Sequence, residues 1–216
     1  MKQGSKQLGK AFLGLALGLV WLIPFYLMVT NSFKTKQEIF TNPLKFPEAF
    51  TFENYPEAFR QLDFIRTLAN SLLITVSSVI VIVIFSAMAA YALERIKSKF
   101  STITFMVFVA AMLVPFQSVM IPLVALFGKA QMLNQIGIIF MYLGFGGSMS
   151  IFLYHGAMKS IPRALDEAAI IDGASRWQVF WKVIFPMLKP TTVTVAVLNT
   201  MWIWNDYLLP SLVINS

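Results

Sequence analysis

The side chains that could do chemistry in this sequence fall into three groups. The first is Glu167-Ala168-Ala169-Ile170-Ile171-Asp172-Gly173, with Pro186 thirteen residues further on. Ala168, Ala169, Gly173 and Ala174 are small enough for another backbone to approach closely, and Glu167, Asp172, Arg176 and Lys182 offer charge pairing around them. That combination suits a knob gripped by a partner protein. The spacing alone also allows an amphipathic helix lying on lipid, although small residues make a poor lipid anchor. The second group is Trp202, Trp204, Asn205 and Asp206, which sets aromatic faces beside hydrogen-bonding groups; Tyr142, Gly144 and Gly147 could belong to the same wall. The third is His155, the only histidine, which has no partner at helical spacing and reads as a packing or interfacial residue.

Other chemistries are excluded by what the sequence lacks. Without cysteine there are no disulfides, zinc–thiolate sites or cysteine nucleophiles. There is no Gly-x-x-x-x-Gly-Lys-Ser/Thr loop to cradle ATP phosphates. His155 and Asp206 supply neither the Ser–His pair nor the paired aspartates of an intramembrane protease. No catalytic residue, metal site or cofactor is expected.

The elements that must position these groups are membrane spans. Hydrophobic residues make up 57% of the 216 and charged residues 12%, with a mean hydropathy of +0.71; a soluble domain carries about 25% charged residues. A spanning helix needs roughly 20 mostly apolar residues. Five stretches qualify: Ala11 to Thr30, about Leu68 to Leu93, about Thr102 to Phe127, about Gly137 to Met158 and about Thr191 to Val213. The third is interrupted by Pro115 and Pro122 and reads as a kinked span. The expected fold is an all-α integral membrane protein, a polytopic bundle with five spans. Its organisation is a cytoplasmic N-terminus (1–10), a first span (11–30), an outer loop (31–67) and a core (68–216) containing an inner loop (159–190).

Charge sets the orientation. With the N-terminus inside, segments 1–10, 94–101 and 159–190 hold eleven Lys and Arg, against six in 31–67 and 128–136. The positive-inside rule favours this topology. The five basic residues of the first outer loop are balanced in number by Glu38, Glu48, Glu53, Glu57 and Asp63, so the net +7 lies almost wholly on the cytoplasmic face. Topology and contact with anionic lipid explain it, without nucleic acid. The first apolar run is too long for an ordinary signal peptide and has no small-x-small cleavage site after it, so it reads as an uncleaved span. Gly14 and Gly18 in it are compatible with close helix packing. In the outer loop, Asn42-Pro43 and Phe46-Pro47 mark turns, and Thr51 to Tyr55 leads into a short helix ending near Leu62. That loop is either a solvated cap or a docking surface for an external protein.

Local signals write the inner loop as helix, glycine corner, helix. Ser160 is placed to cap a helix starting at Ile161-Pro162, with Asp166 and Glu167 near its positive end. Gly173 fits the left-handed position that ends a helix. Ser175-Arg176-Trp177-Gln178 is a capping box for a second helix with Val179, Phe180, Val183 and Ile184 on its apolar side. Pro186 and Pro190 are expected to stop it before the fifth span.

The pattern Glu-Ala-Ala, three residues, Gly, nine residues, Ile-x-Leu-Pro resembles the signature of ABC-importer membrane subunits. This chain has Glu167-Ala168-Ala169, Gly173 and then Val183-Ile184-Phe185-Pro186 at that spacing, with conservative departures at Val183 and Phe185. Phe52-Glu53-Asn54-Tyr55, Asn70-Ser71-Leu72, Ala89-Ala90-Tyr91-Ala92-Leu93, Pro115-Phe116-Gln117 through Ile121-Pro122, and Trp204-Asn205-Asp206-Tyr207 are similar to the carbohydrate-uptake branch, of the maltose-permease MalG type. The resemblance covers about residue 10 to the end. It implies a multi-pass permease subunit in a bacterial or archaeal cytoplasmic membrane, which is not itself an enzyme. The implied partners are a cytoplasmic ABC ATPase dimer, a second and related permease subunit forming a heterodimer, an extracytoplasmic sugar-binding protein, and membrane lipid. Glu167, Ala168, Ala169, Asp172, Gly173 and Pro186 would form the ATPase-coupling region, and the proline-broken third span would be a bistable element. Trp202, Trp204, Asn205, Asp206, Tyr142 and Gly144 would line the sugar pathway, although Asp206 sits near the outer end, where packing or gating serves equally. Family members normally have six spans, and the sixth is absent before Ser216, as in a fragment or truncated product. A permease for another solute, such as glycerol phosphate or a polyamine, and a non-transporting membrane scaffold are the alternatives.

Overall fold

The computed structural model describes residues 2–214. Met1, Asn215 and Ser216, and the side chains of residues 2–6 and Leu8, lie outside it, so the charges counted at Lys2 and Lys6 fall outside the described residues. The described residues are helical, with no strand among them. They form two compact units, 1–68 and 69–216.

The first unit holds α1 (Lys2–Ser32), α2 (Lys36–Thr41) and α3 (Asn54–Gln61). α1 presents apolar side chains all round, with Phe12, Trp21 and Phe25 exposed, as suits a helix whose solvent is lipid or another protein. The outer loop is tied by Lys34. Its ammonium is fully buried and donates to Asn31 Oδ1 at 2.9 Å and to the carbonyls of Asn42 at 2.9 Å and Pro43 at 3.2 Å. Asn54 Nδ2 donates back to the carbonyls of Ser32 and Lys34 at 2.9 and 2.7 Å. Phe33 sits among Phe50, Phe52 and Tyr55. The balance of charge read in this loop is therefore compositional: Lys34 is held by oxygen dipoles, and Arg66–Asp63, exposed and 4.0 Å apart, is the one ion pair here among the described residues.

The second unit contains most of α4 (Phe64–Arg95), whose first turn lies in the first unit, and then α5 (Lys99–Ala111), α6 (Phe116–Lys129) and α7 (Gln135–Met158). The inner-loop helices α8 (Ala164–Ile171) and α9 (Arg176–Gln178) follow. A π-helical turn (Val179–Ile184) leads into α10 (Phe185–Met187), α11 (Lys189–Asn205) and α12 (Leu208–Val213). α7 is the central strut, packing against α5, α11 and α12. Its face of Gly146, Gly147, Ser148 and Ser150 is buried, and small residues let neighbouring helices close in. A Cβ at Gly146 would collide with Asn199 Oδ1 of α11 and stand 2.8 Å from Ile82 Cδ1 of α4. Asn199 Nδ2 donates to Ser150 Oγ at 3.1 Å and to the Val195 carbonyl at 2.8 Å, so the buried amide is satisfied.

Three helices, α1, α4 and α7, are long and apolar enough to cross a membrane alone, and two bent pairs raise the number to five if each is one crossing. The bends differ from expectation. The third stretch is two helices meeting at 106°, not one kinked rod. Pro115 lacks an N–H and disfavours helix at Val114, so α5 ends at Ala111 and α6 restarts behind Pro115 in extended backbone (ψ 139°). Pro122 stays inside α6. The fifth stretch also breaks. α11 ends at Asn205, Asp206 is extended (ψ 120°), and its Oδ1 accepts from Leu208 N–H at 3.0 Å to start α12.

Gly146→Leu is expected to destabilise the protein by about 1–3 kcal/mol through overpacking, read as a lower unfolding temperature in detergent. Gly156→Ala, where a Cβ meets nothing within 4 Å, should hold or slightly raise that temperature, because alanine is the better helix former.

Candidate functional site

The inner loop folds as a knob with its polar signature outward. Glu167, Ala168, Asp172 and Gly173 are exposed, Ala169 is half-buried against the core, and Ile171 at the tip is 85% exposed. Gly173 takes φ +87°, the left-handed region that glycine occupies without strain. Its N–H and that of Ala174 satisfy the carbonyls of Ile170 and Ala169, closing α8. The capping box forms as expected: Ser175 Oγ accepts from Gln178 N–H at 3.3 Å, and Gln178 Oε1 accepts from Ser175 N–H at 2.8 Å.

Two details of the loop depart from expectation. Ser160 does not cap the first helix; its Oγ donates to the Ala157 carbonyl at 2.7 Å, closing α7 instead, and α8 begins only at Ala164. Pro186 does not stop the second helix. The chain widens into a π turn, with Phe185 N–H reaching back to the Phe180 carbonyl, and runs through Pro186 to Met187. The widened turn accommodates a proline that would otherwise clash with the preceding turn. The stop comes at Leu188, where the path bends by 76° into α11 with Pro190 in its first turn.

What holds the knob to the spans is a charge pair that no local spacing reveals. Asp166 is buried. Its Oδ2 lies 2.8 Å from Arg95 Nη2, and its Oδ1 accepts from Arg95 Nε at 3.2 Å and from Tyr91 Oη at 2.8 Å. The same guanidinium donates to the Ile161 carbonyl at 3.3–3.4 Å. Arg163 Nη2 donates to the Glu94 carbonyl at 2.6 Å, capping the end of α4. Below these contacts Tyr91 packs on buried Phe180 of the π turn, with ring centroids 5.4 Å apart. The inner end of α4 thus grips both limbs of the knob. A planar guanidinium in two-point contact fixes orientation as well as distance. In the sequence Arg95 registers only as a topogenic charge and Asp166 only as an acid at a helix start. Their partnership spans 71 residues.

His155 likewise finds a distant partner, Glu94 Oε2 at 3.3 Å, and stacks on Phe105 with centroids 4.0 Å apart. The outer group comes together in part. Tyr142, fully buried, donates to Asp206 Oδ2 at 3.0 Å and meets Trp202 edge-on at 5.4 Å. Trp204 and Asn205 are exposed, and Asn205 Nδ2 bonds the Met201 carbonyl within its own helix. Gly144 lies apart from that cluster, in a cavity between α5, α6 and α7.

Residues 82–216 match the family model described as the binding-protein-dependent transport system inner membrane component. The chain belongs to this family. It is 58% identical over 204 residues to a protein of Thermoanaerobacterium thermosulfurigenes named as a probable starch degradation products transport system permease, covering 94% of this chain and 74% of that one. It is 38% identical to the multiple sugar-binding transport system permease MsmG of Streptococcus mutans, covering 92% and 72%. Among solved structures, a bacterial ABC transporter involved in import of the acidic polysaccharide alginate contains a similar chain. Its TM-score is 0.83 at 25% identity, covering 99% of this chain and 75% of that one. As a permease subunit of an ABC importer, the chain is a multi-pass component of the cytoplasmic membrane and not itself an enzyme. The ATPase is a separate subunit, and a substrate-binding protein serves the assembly.

Removing one partner of a buried charge pair leaves the other uncompensated, at about 3–5 kcal/mol. Asp166→Ala and Arg95→Ala should each destabilise the permease in the assembled transporter by that order, read as a lower unfolding temperature. The double variant should cost less than the sum, which a double-mutant cycle on thermal unfolding measures directly.

Proposed function

We propose that this chain is the membrane permease subunit of an ATP-driven sugar or oligosaccharide importer. In this reading it converts closure of a cytoplasmic ATPase dimer into alternating access across the spans. The observation that carries it is the exposed knob around Gly173, tied to the inner end of α4 through Arg95 and Asp166. Glu167, Ala168, Ala169, Asp172 and Gly173 form the docking face, with Ile171 as its apolar tip. Pro186 belongs to the limb behind it and shapes the π turn instead of meeting the ATPase. Relatives named for starch degradation products, for multiple sugars and for melibiose, raffinose and stachyose support the cargo class.

The mechanism follows from rigidity. A knob displaced by its ATPase pulls α4 through the guanidinium–carboxylate pair and α11 through the π turn and the bend at Leu188. The two bent helix pairs are elements that can hold two arrangements, as a switching transition requires. The permease pairs with a second, related subunit, and the substrate pathway runs between them. On this chain Trp202, Trp204 and Asn205 offer aromatic and amide contacts near its outer mouth. Tyr142 and Asp206 hold the α11–α12 break in shape, which makes Asp206 a positioning group more than a sugar ligand. Lys129, the last residue of α6, is the sole charge from there to the start of α7, so this segment offers no cluster of cations for a cargo such as glycerol phosphate.

Glu167→Lys should reduce uptake of labelled oligosaccharide about tenfold or more, within the usual range of coupling energies, and weaken co-purification of the ATPase. Intact uptake and association would remove the docking assignment. A panel of labelled oligosaccharides, taken up by cells with and without this subunit, identifies the cargo; accumulation that does not depend on the subunit for any of them would refute the sugar reading.

A further inference from the structure

A second cavity, of about 500 Å³, opens beside the knob among the inner ends of α4, α5 and α7. It shares no residue with the docking face. Lys97, Lys99 and Lys159 line it together with Glu94, Ser98 and His155. The three lysines are exposed, and none makes an ion pair among the described residues. The single carboxylate, Glu94, is already engaged by His155. The cavity therefore presents three lysines against one carboxylate. Its inner wall is apolar, formed by Phe105 against the His155 ring. Leu93 and Ile96, at and just past the end of α4, add to its apolar lining.

Lysines clustered at the cytoplasmic ends of spans interact with negatively charged lipid, at about 1 kcal/mol for each one near the surface, and basic pockets between helices hold anionic head groups. Topogenic charge alone does not require the lysines to converge on one cavity. We propose that this cavity is a binding site for the phosphodiester head group of an anionic phospholipid of the cytoplasmic leaflet. Lys97, Lys99 and Lys159 contact the phosphate, and the acyl chains leave past Ile96 and Phe105. The cavity volume suits a small polar head group. A lipid seated there bridges α4, α5 and α7 next to the His155–Glu94 contact, so it braces the inner ends on which the knob pulls.

The test uses the full transporter in nanodiscs of mixed phosphatidylglycerol and phosphatidylcholine. Native mass spectrometry of the released complex counts the lipids retained by wild type and by the Lys97→Gln/Lys99→Gln/Lys159→Gln variant. Wild type should retain phosphatidylglycerol in preference to phosphatidylcholine, and the variant should lose that retention by about tenfold or more. Lys97→Gln alone, in an exposed turn, should give a several-fold loss and covers the case in which the triple variant does not assemble. Equal retention by wild type and variants, or no preference for phosphatidylglycerol, overturns the proposal. Displacement of the lipid by millimolar inorganic phosphate also overturns it, because the site would then be one for free phosphate.

Discussion

A carboxylate at the inner edge of a membrane protein cannot be buried alone. Desolvating it costs several kcal/mol unless an opposite charge and further donors replace the lost water. Asp166 is buried beside the Arg95 guanidinium: its Oδ1 accepts from Arg95 Nε and the Tyr91 hydroxyl, and its Oδ2 lies 2.8 Å from Arg95 Nη2 as a charge contact without a hydrogen bond. The contacts that tie the inner loop to α4 gather around this one. Arg95 reaches on to the Ile161 carbonyl, Arg163 closes the end of α4, and Tyr91 offers its ring face to Phe180. Take the pair away and α8 keeps its helical geometry while losing what orients it on α4.

The loop combines this rigid joint with two features that relax the backbone. Gly173 turns the chain through a positive φ between α8 and α9, with Ala168 and Gly173 exposed and Ala169 and Ala174 packed inward. The π turn from Val179 to Ile184 widens the second limb just ahead of Pro186. One limb is therefore clamped by charge and the other carries a softened helix leading to the bend at Leu188. In the function proposed, the clamped limb transmits displacement and the softened limb accommodates it.

How much of this was legible in the sequence follows the range of each interaction. The glycine corner and the Ser175–Gln178 capping box were legible because their partners lie within a few residues. The locations of α4 and α7 follow from apolar runs. The break at Pro115 was legible as a location but not as a 106° bend, since the angle depends on what α6 packs against. Asp206 was visible as an ionisable residue near a helix end. Its role as the start of α12 and as acceptor for Tyr142 depends on a fold that places residues 64 apart side by side. The Arg95–Asp166 pair was the hardest to see, because charge counting uses Arg95 completely as a topology signal. Ser160 misled because a serine before a proline reads as a cap, while the nearer Ala157 carbonyl claims its hydroxyl. The π turn has no sequence mark, because its apolar positions also fit an ordinary α-helix.

In the function proposed, the Arg95–Asp166 contact carries motion from the knob to the spans. It is tested most directly by the amount of substrate transported per ATP hydrolysed in proteoliposomes containing Asp166→Asn permease, with the docking face unaltered. If the contact transmits displacement, the ATPase still docks and hydrolyses, and the ratio falls about tenfold, the scale of a lost coupling energy. If the ratio stays at the wild-type value, whether hydrolysis persists or declines, the contact is only a structural anchor and the account is contradicted.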